Sequence, residues 1–218
     1  MVLTSNLVAL EDAAVPILCP LLGGLTAGQA DCAIVMPTGN ANDLLLAALE
    51  DCPSERLEAG LHVGVLCADP FVQAEQMLAE LAEKGVHGVV NWPSSIFFEG
   101  RTREVMAALP AQPEQEFRWL AKAREVGLEA SAVILSRDHG LFALEAGIGR
   151  LIIHPGLPHS LEPGSGARLA DSLAQLIAAL RGADAAAELL LYRHPALGGQ
   201  RLYDNSGADG FVDYGVSP

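Results

Sequence analysis

The chain has 218 residues, half of them apolar, 18% charged and 5% aromatic, with 22 glycines and 13 prolines. This composition excludes a disordered, collagen-like or disulfide-stapled chain, and the length suits one large α/β core. Lys and Arg number 13 against 27 Asp and Glu, and the formal charge of −14 opposes nucleic acid or an anionic membrane surface as a partner.

No apolar run reaches the roughly 18 residues that span a bilayer. The opening MVLTSNLVALED lacks the basic start of a signal peptide, so the sequence predicts a cytoplasmic protein without membrane contact. Cys19, Cys32, Cys52 and Cys67 form no CxxC pair and sit in apolar segments, which predicts reduced core thiols.

In chain order, near-continuous apolar runs at 16–19, 32–36, 62–67, 88–91, 130–135, 151–154, 189–192 and 210–213 read as eight parallel strands buried on both faces. Amphipathic segments lie between them. Asp69-Pro70 predicts a capped helix start, followed by a stripe of Phe71, Ala74, Leu78 and Leu81 that stops at Lys84-Gly85. Pro113 opens a second helix, with Glu114 and Glu116 in its positive first turn and Gly127 as its stop. Leu169, Leu173, Leu176, Ile177 and Leu180 share one face of a third.

Alternating strands and helices predict an α/β fold, a compact single-domain (β/α)8 TIM barrel over 1–218, because the GxGxxG fingerprint of a doubly wound sheet is absent. The chain stops just after the last predicted strand, so the final helix is expected to be missing. Either the segment 4–13 or a neighbouring subunit would then cover the last seam, and a homo-oligomer is expected.

Barrel chemistry sits at the C-terminal ends of the strands. There the sequence places Asn40 and Asn42 in GNAND, Cys67 and Asp69 in CADP, Asn91 in NWPSS, and Phe97, Phe98, Glu99 and Arg101 in a long loop suited to a lid. Arg137 follows in SRDHG, His154 and Gly156 in HPG with His159 beyond, and His194 after the seventh run. Asn42 or Asp43, Asp69, and Ser136 or Asp138 also read as plain helix caps, and Glu99–Arg101 also reads as a surface ion pair. Arg101 has the planar fork that clamps a carboxylate or phosphate. The only lysines, Lys84 and Lys122, lie on predicted helices, and GxSxG and P-loop motifs are absent. These facts exclude a Schiff-base mechanism and the commonest hydrolase and nucleotide signatures, leaving acid–base chemistry by Asp or His.

GNAND, GVLCADPF, GVVNWPS, FFEGRTREV, EFRWLAKAREVGLEASAV, IIHPGL and DNSGADGFVDYGVS, in this order from about residue 16 to 217, resemble the phosphoenolpyruvate hydrolase-like TIM-barrel family. That family, also described as predicted TIM-barrel signal-transduction proteins, is related to the C-terminal domain of the tobamovirus-resistance protein Tm-one and stands near the phosphoenolpyruvate mutase and isocitrate lyase superfamily. The resemblance implies an enzyme, a hydrolase or lyase, that stabilises the enolate of a small carboxylated or phosphorylated 2-oxo-acid-like anion. Asp69 or His154 would move the proton. Asn40, Asn42, Cys67, Asn91, Arg101 and Gly156 would hold the substrate, with Arg137 and His194 added from their strand-end positions alone. It would also bring Mg²⁺, but the aspartate pair that binds metal in the mutases has no counterpart, so the cofactor is left open. The segment before GNAN is shortened to Pro37-Thr38, and SRDHG replaces an acidic loop. These departures keep a second reading open, a non-catalytic small-molecule-binding or regulatory barrel, and a third, a subunit that works beside a partner protein.

Overall fold

The computed structural model describes residues 1–7, 15–35, 39–98, 100–106, 112–157, 166–197, 203 and 206–215. Eight strands form a closed, all-parallel barrel in chain order: β1 (Val2–Thr4), β2 (Pro16–Leu18), β3 (His62–Gly64), β4 (Gly88–Val90), β5 (Glu129–Ile134), β6 (Arg150–Ile153), β7 (Glu188–Arg193) and β8 (Gly210–Tyr214). The described helices are α1 (Ala27–Ala30), α2 (Ala41–Glu50), α3 (Ser54–Glu58), α4 (Ala74–Glu83), α5 (Gly100–Met106), α6 (Pro113–Ala121), α7 (Arg137–Glu145) and α8 (Gly166–Ala183). None is long and apolar enough to cross a membrane.

The TIM barrel expected from the sequence is present, with one strand reassigned. The strand expected at 32–36 is replaced by a 3-10 turn at Ala33–Val35 in the β2–β3 connection, and Met36 lies outside the described residues. Of its apolar side chains Ala33 is buried in the core, whereas Val35 is exposed. The missing strand is β1, which pairs in parallel with both β2 and β8. The seam is therefore closed by backbone hydrogen bonds of β1. Thr4 belongs to β1, and 8–14 lie outside the described residues. The outer face beside the seam is not bare apolar surface either, because Arg193 pairs with Asp213 and lies 4.7 Å over the Phe211 ring.

Two helix expectations also change. The helix after β3 starts at Ala74 and not at Pro70, so Asp69 accepts the Phe71 N–H at 3.0 Å in a turn instead of capping a helix. Phe71 is 93% exposed and Met77 takes its place on the buried stripe. On α6, Pro113 and the Gly127 stop at φ +81° behave as expected, but Glu116 points into the protein beside Phe117 and Leu120.

Strand register assigns the barrel interior, since hydrogen-bonded neighbours share a face. At the N-terminal end, His62, Glu129, Arg150 and Glu188 fall on that face. Arg150 pairs with Glu129 and with Glu188 at 2.5 Å, and approaches His62 Nε2 at 3.2 Å. His62 Nδ1 lies 2.9 Å from the Gly60 carbonyl and Nε2 3.3 Å from the Glu129 carboxylate, while burial disfavours the charged ring. Gly88 makes room for this ring, since a Cβ there would lie 2.5 Å from His62 Cδ2.

Burial holds His62, His139 and His154 below the ordinary imidazole range. The unfolded chain takes up protons near pH 6.5 while the native rings resist, so stability falls as pH drops below that value. Denaturant titrations at pH 7.5 and 5.5 are expected to show the loss, each such histidine contributing up to about 1.4 kcal/mol per pH unit. His62→Gln is expected to reduce the slope.

Candidate active site

At the C-terminal mouth, β6 and β7 end in the same local device. His154-Pro155-Gly156 follows β6 and His194-Pro195-Ala196 follows β7. In each, imidazole Nδ1 accepts the backbone N–H two residues on, from Gly156 at 3.1 Å and from Ala196 at 3.0 Å. The intervening proline has a fixed φ and no N–H to compete. Gly156 adopts φ +100°, a conformation open to glycine. With Nδ1 occupied as acceptor, the proton of each neutral ring resides on Nε2.

Both Nε2–H groups converge on one carboxylate. Asp31 Oδ1 lies 3.1 Å from His154 Nε2, and Oδ2 lies 2.9 Å from His194 Nε2, all three side chains being fully buried. Asp31 arrives from the β2–β3 connection, where its backbone N–H bonds the Ala27 carbonyl and caps α1. Burial disfavours its charge, but hydrogen bonds from the two imidazoles outweigh that and hold its carboxyl below the usual range. For His154 the balance runs the other way: burial depresses it despite Asp31. The cluster is thus a buried carboxylate held between two imidazole Nε2 atoms.

Aromatic rings enclose it. Tyr192 stacks on His154 with centroids 4.8 Å apart at 19°, and Trp92 lies 5.3 Å from Tyr192 and 5.8 Å from His154. Phe97 meets the His154 ring edge-on at 4.9 Å. Gly64 permits this placement, because a Cβ there would fall 2.6 Å from the Trp92 carbonyl oxygen. Burial, with Asp31's charge second, pushes the Tyr192 phenol far above its ordinary value, so it remains a donor. Among the described residues, Trp92 Nε1, Tyr192 Oη and Ser95 Oγ are buried without a hydrogen-bond partner.

The loop carrying Trp92 and Phe97 is fastened from behind by Glu116. Its carboxyl accepts from Asn91 Nδ2 at 2.9 Å, Ser94 Oγ at 2.5 Å and Ser95 N at 2.7 Å. Burial raises its pKa against these three donors. Asn91 Oδ1 in turn accepts the Val133 N–H at 2.7 Å, tying β4 to β5. Cys67 is buried, and burial together with Glu116's charge pushes its thiol well up, which makes it an inert neutral group.

Of the residues the sequence nominated, hydrogen bonds unite His154, Gly156 and His194 in the Asp31 cluster and place Asn91 in the Glu116 cluster. Asn42 and Asp69 form a third group: Asn42 Nδ2 donates to Asp69 at 3.3 Å and to the Leu66 carbonyl at 3.1 Å, while its Oδ1 accepts the Leu66 N–H. Asn40 is the exposed N-cap of α2, accepting from the backbone of Asn42 and Asp43. Arg101 on α5 and Arg137 at the start of α7 are exposed. Glu99 and His159 lie outside the described residues. Sequence reasoning missed Asp31, an isolated aspartate beside an apolar segment, and it treated Glu116 as a helix-end charge. The twin His-Pro dipeptides closing adjacent strands mark the two histidines but not the carboxylate they share.

The donor set does not suit Mg²⁺. This ion takes hard oxygen ligands in an octahedron, yet both Asp31 oxygens meet imidazole donors and both Asp69 oxygens meet N–H groups. Among the described residues no group of three His, Cys, Asp or Glu side chains is arranged for a metal. Clefts of about 530 and 400 Å³ open at the opposite, N-terminal end, where Arg150 bridges Glu129 and Glu188. The mouth, with its buried carboxylate and imidazoles, has the reactive groups. Asp31→Ala is expected to lower unfolding free energy by about 3–6 kcal/mol, from two buried hydrogen bonds to a charged group at ~1.5–3 kcal/mol each, measured by denaturant titration.

A family model described as phosphoenolpyruvate hydrolase-like matches residues 25–191. Among curated proteins, the tomato (Solanum lycopersicum) ToMV resistance protein Tm-1(GCR237) and ToMV susceptible protein tm-1(GCR26) are each 29% identical over 152 residues, 69% of this chain. The match spans 20% of their own length. The uncharacterized protein y4oT of Sinorhizobium fredii is 29% identical over 138 residues, 63% of this chain and 69% of its own.

Proposed function

Since the chain belongs to the phosphoenolpyruvate hydrolase-like family, we propose that its barrel mouth binds a small carboxylated or phosphorylated 2-oxo-acid-like anion and enolises it by acid–base chemistry. The observation that carries this reading is the Asp31 carboxylate held between His154 and His194 at the strand ends. His154 is the base. A C3 proton of the substrate moves to Nδ1, which gives up the Gly156 N–H. The C–H electron pair becomes the C2–C3 double bond, and the carbonyl pair moves to oxygen as an enolate. Asp31, fixed on Nε2, holds the imidazolium that forms, the role of the carboxylate in a catalytic His–Asp pair. His194 shares the same carboxylate and restrains it. Arg101 and Arg137, exposed on the helices after β4 and β5, attract the anion to the mouth. Asn40, Asn42 and Asp69 belong to the rim, with Asp69 half-buried as a second carboxylate, and Asn91 and Cys67 support the floor beside Glu116.

A second reading, a non-catalytic binding module, is favoured by one observation: every nitrogen of the two imidazoles already has a partner within the chain.

Deuterium incorporation at C3 of pyruvate, followed by proton NMR, and phosphate release from phosphoenolpyruvate separate the two. The enzyme reading expects exchange or release above buffer, reduced at least 10²-fold in His154→Asn and Asp31→Asn. Calorimetric binding of these anions without turnover would favour the module, and neither binding nor turnover would overturn both readings.

A further inference from the structure

We propose that Trp92 Nε1–H and Tyr192 Oη–H together form a two-donor subsite for one oxygen of the ligand, a carboxylate or enolate oxygen. This assignment rests on the reading above that the mouth takes a small oxo-acid anion, and it names the groups that recognise it. Both atoms are buried and lack a hydrogen-bond partner among the described residues. Leaving a buried donor unmade is destabilising, and native proteins seldom do so without a reason. Here two such donors belong to touching rings, 5.3 Å between centroids, and one of those rings stacks on the proposed base His154.

The chemistry of the pair fits an anionic sp² oxygen. Indole N–H can only donate. The phenol is kept protonated by burial and by the neighbouring Asp31 charge, so it too presents a hydrogen. The carboxylate of Asp31 is the nearby charge that would repel such a ligand, and both its oxygens are already engaged by imidazole N–H groups. In a site closed to water, two fixed donors aimed at a developing oxyanion stabilise it without reorganisation. Phe97 is the one partly exposed ring of the group, and it lies over both His154 and Trp92. Its rotation is the route by which a ligand of two or three carbons reaches the donors.

The chain has two tryptophans, so Trp119→Phe, on half-buried α6, leaves Trp92 as the sole indole reporter. Oxalate, a planar dianion resembling the enolate of pyruvate, and pyruvate itself are titrated into this protein while Trp92 emission is followed, with calorimetry as a second readout. A saturable emission change is expected, and Tyr192→Phe in the same background is expected to weaken oxalate binding tenfold or more. The same variant should keep or raise the midpoint of thermal unfolding, since the hydroxyl it removes has no partner among the described residues. Equal oxalate affinity in the two proteins, or a lowered midpoint in Tyr192→Phe, overturns the donor pair while leaving the acid–base reading standing. A protein whose emission and heat respond to neither probe overturns both.

Discussion

The structure of the mouth depends on one buried carboxylate. Taking Asp31 out of water costs several kcal/mol, and burying an ionised group is tolerated only with excellent hydrogen bonding. Two imidazole N–H groups provide it, each with its tautomer fixed by a backbone N–H on its other nitrogen. The arrangement links three chain segments, the β2–β3 connection, the end of β6 and the end of β7. Apolar residues of similar volume often serve stability as well as a buried ionic group does, so packing alone does not explain its presence.

Around this centre the barrel separates its polar groups by depth. Arg150, Glu129, Glu188 and His62 close the N-terminal end with charges that satisfy one another. The aliphatic middle contains Ile17, Ile152 and Leu190. The upper layer changes to aromatic and imidazole rings. Glu116 acts from outside the barrel wall, holding the β4 loop so that Trp92 and Phe97 rest against His154. A low dielectric and fixed dipoles at the mouth are the conditions under which a proton can be moved from carbon.

The barrel was legible because buried parallel strands leave continuous aliphatic runs, and seven of the eight coincide with such runs. Val2–Thr4 escaped because three residues carry no period, and closure of a barrel supplies what the local sequence lacks. Residues 32–36 imitated a strand because a turn packed on a core is apolar for the same reason a strand is. His154, Gly156 and His194 could be nominated from position alone, each following a strand. Asp31 and Glu116 could not. Their significance comes from partners 123 and 25 positions away, and no local pattern of charge or period encodes a contact of that kind. Arg101 shows the converse, a side chain chosen for its chemistry that the helix α5 leaves in solvent.

The tautomers of the two mouth histidines test the central claim most directly. In ¹⁵N-histidine-labelled protein at neutral pH, long-range ¹⁵N–¹H correlation spectra should show His154 and His194 both neutral, protonated on Nε2 and bare on Nδ1, and Asp31→Asn should disturb both patterns together. A proton on Nδ1 of either ring, or an imidazolium pattern at neutral pH, would contradict the account.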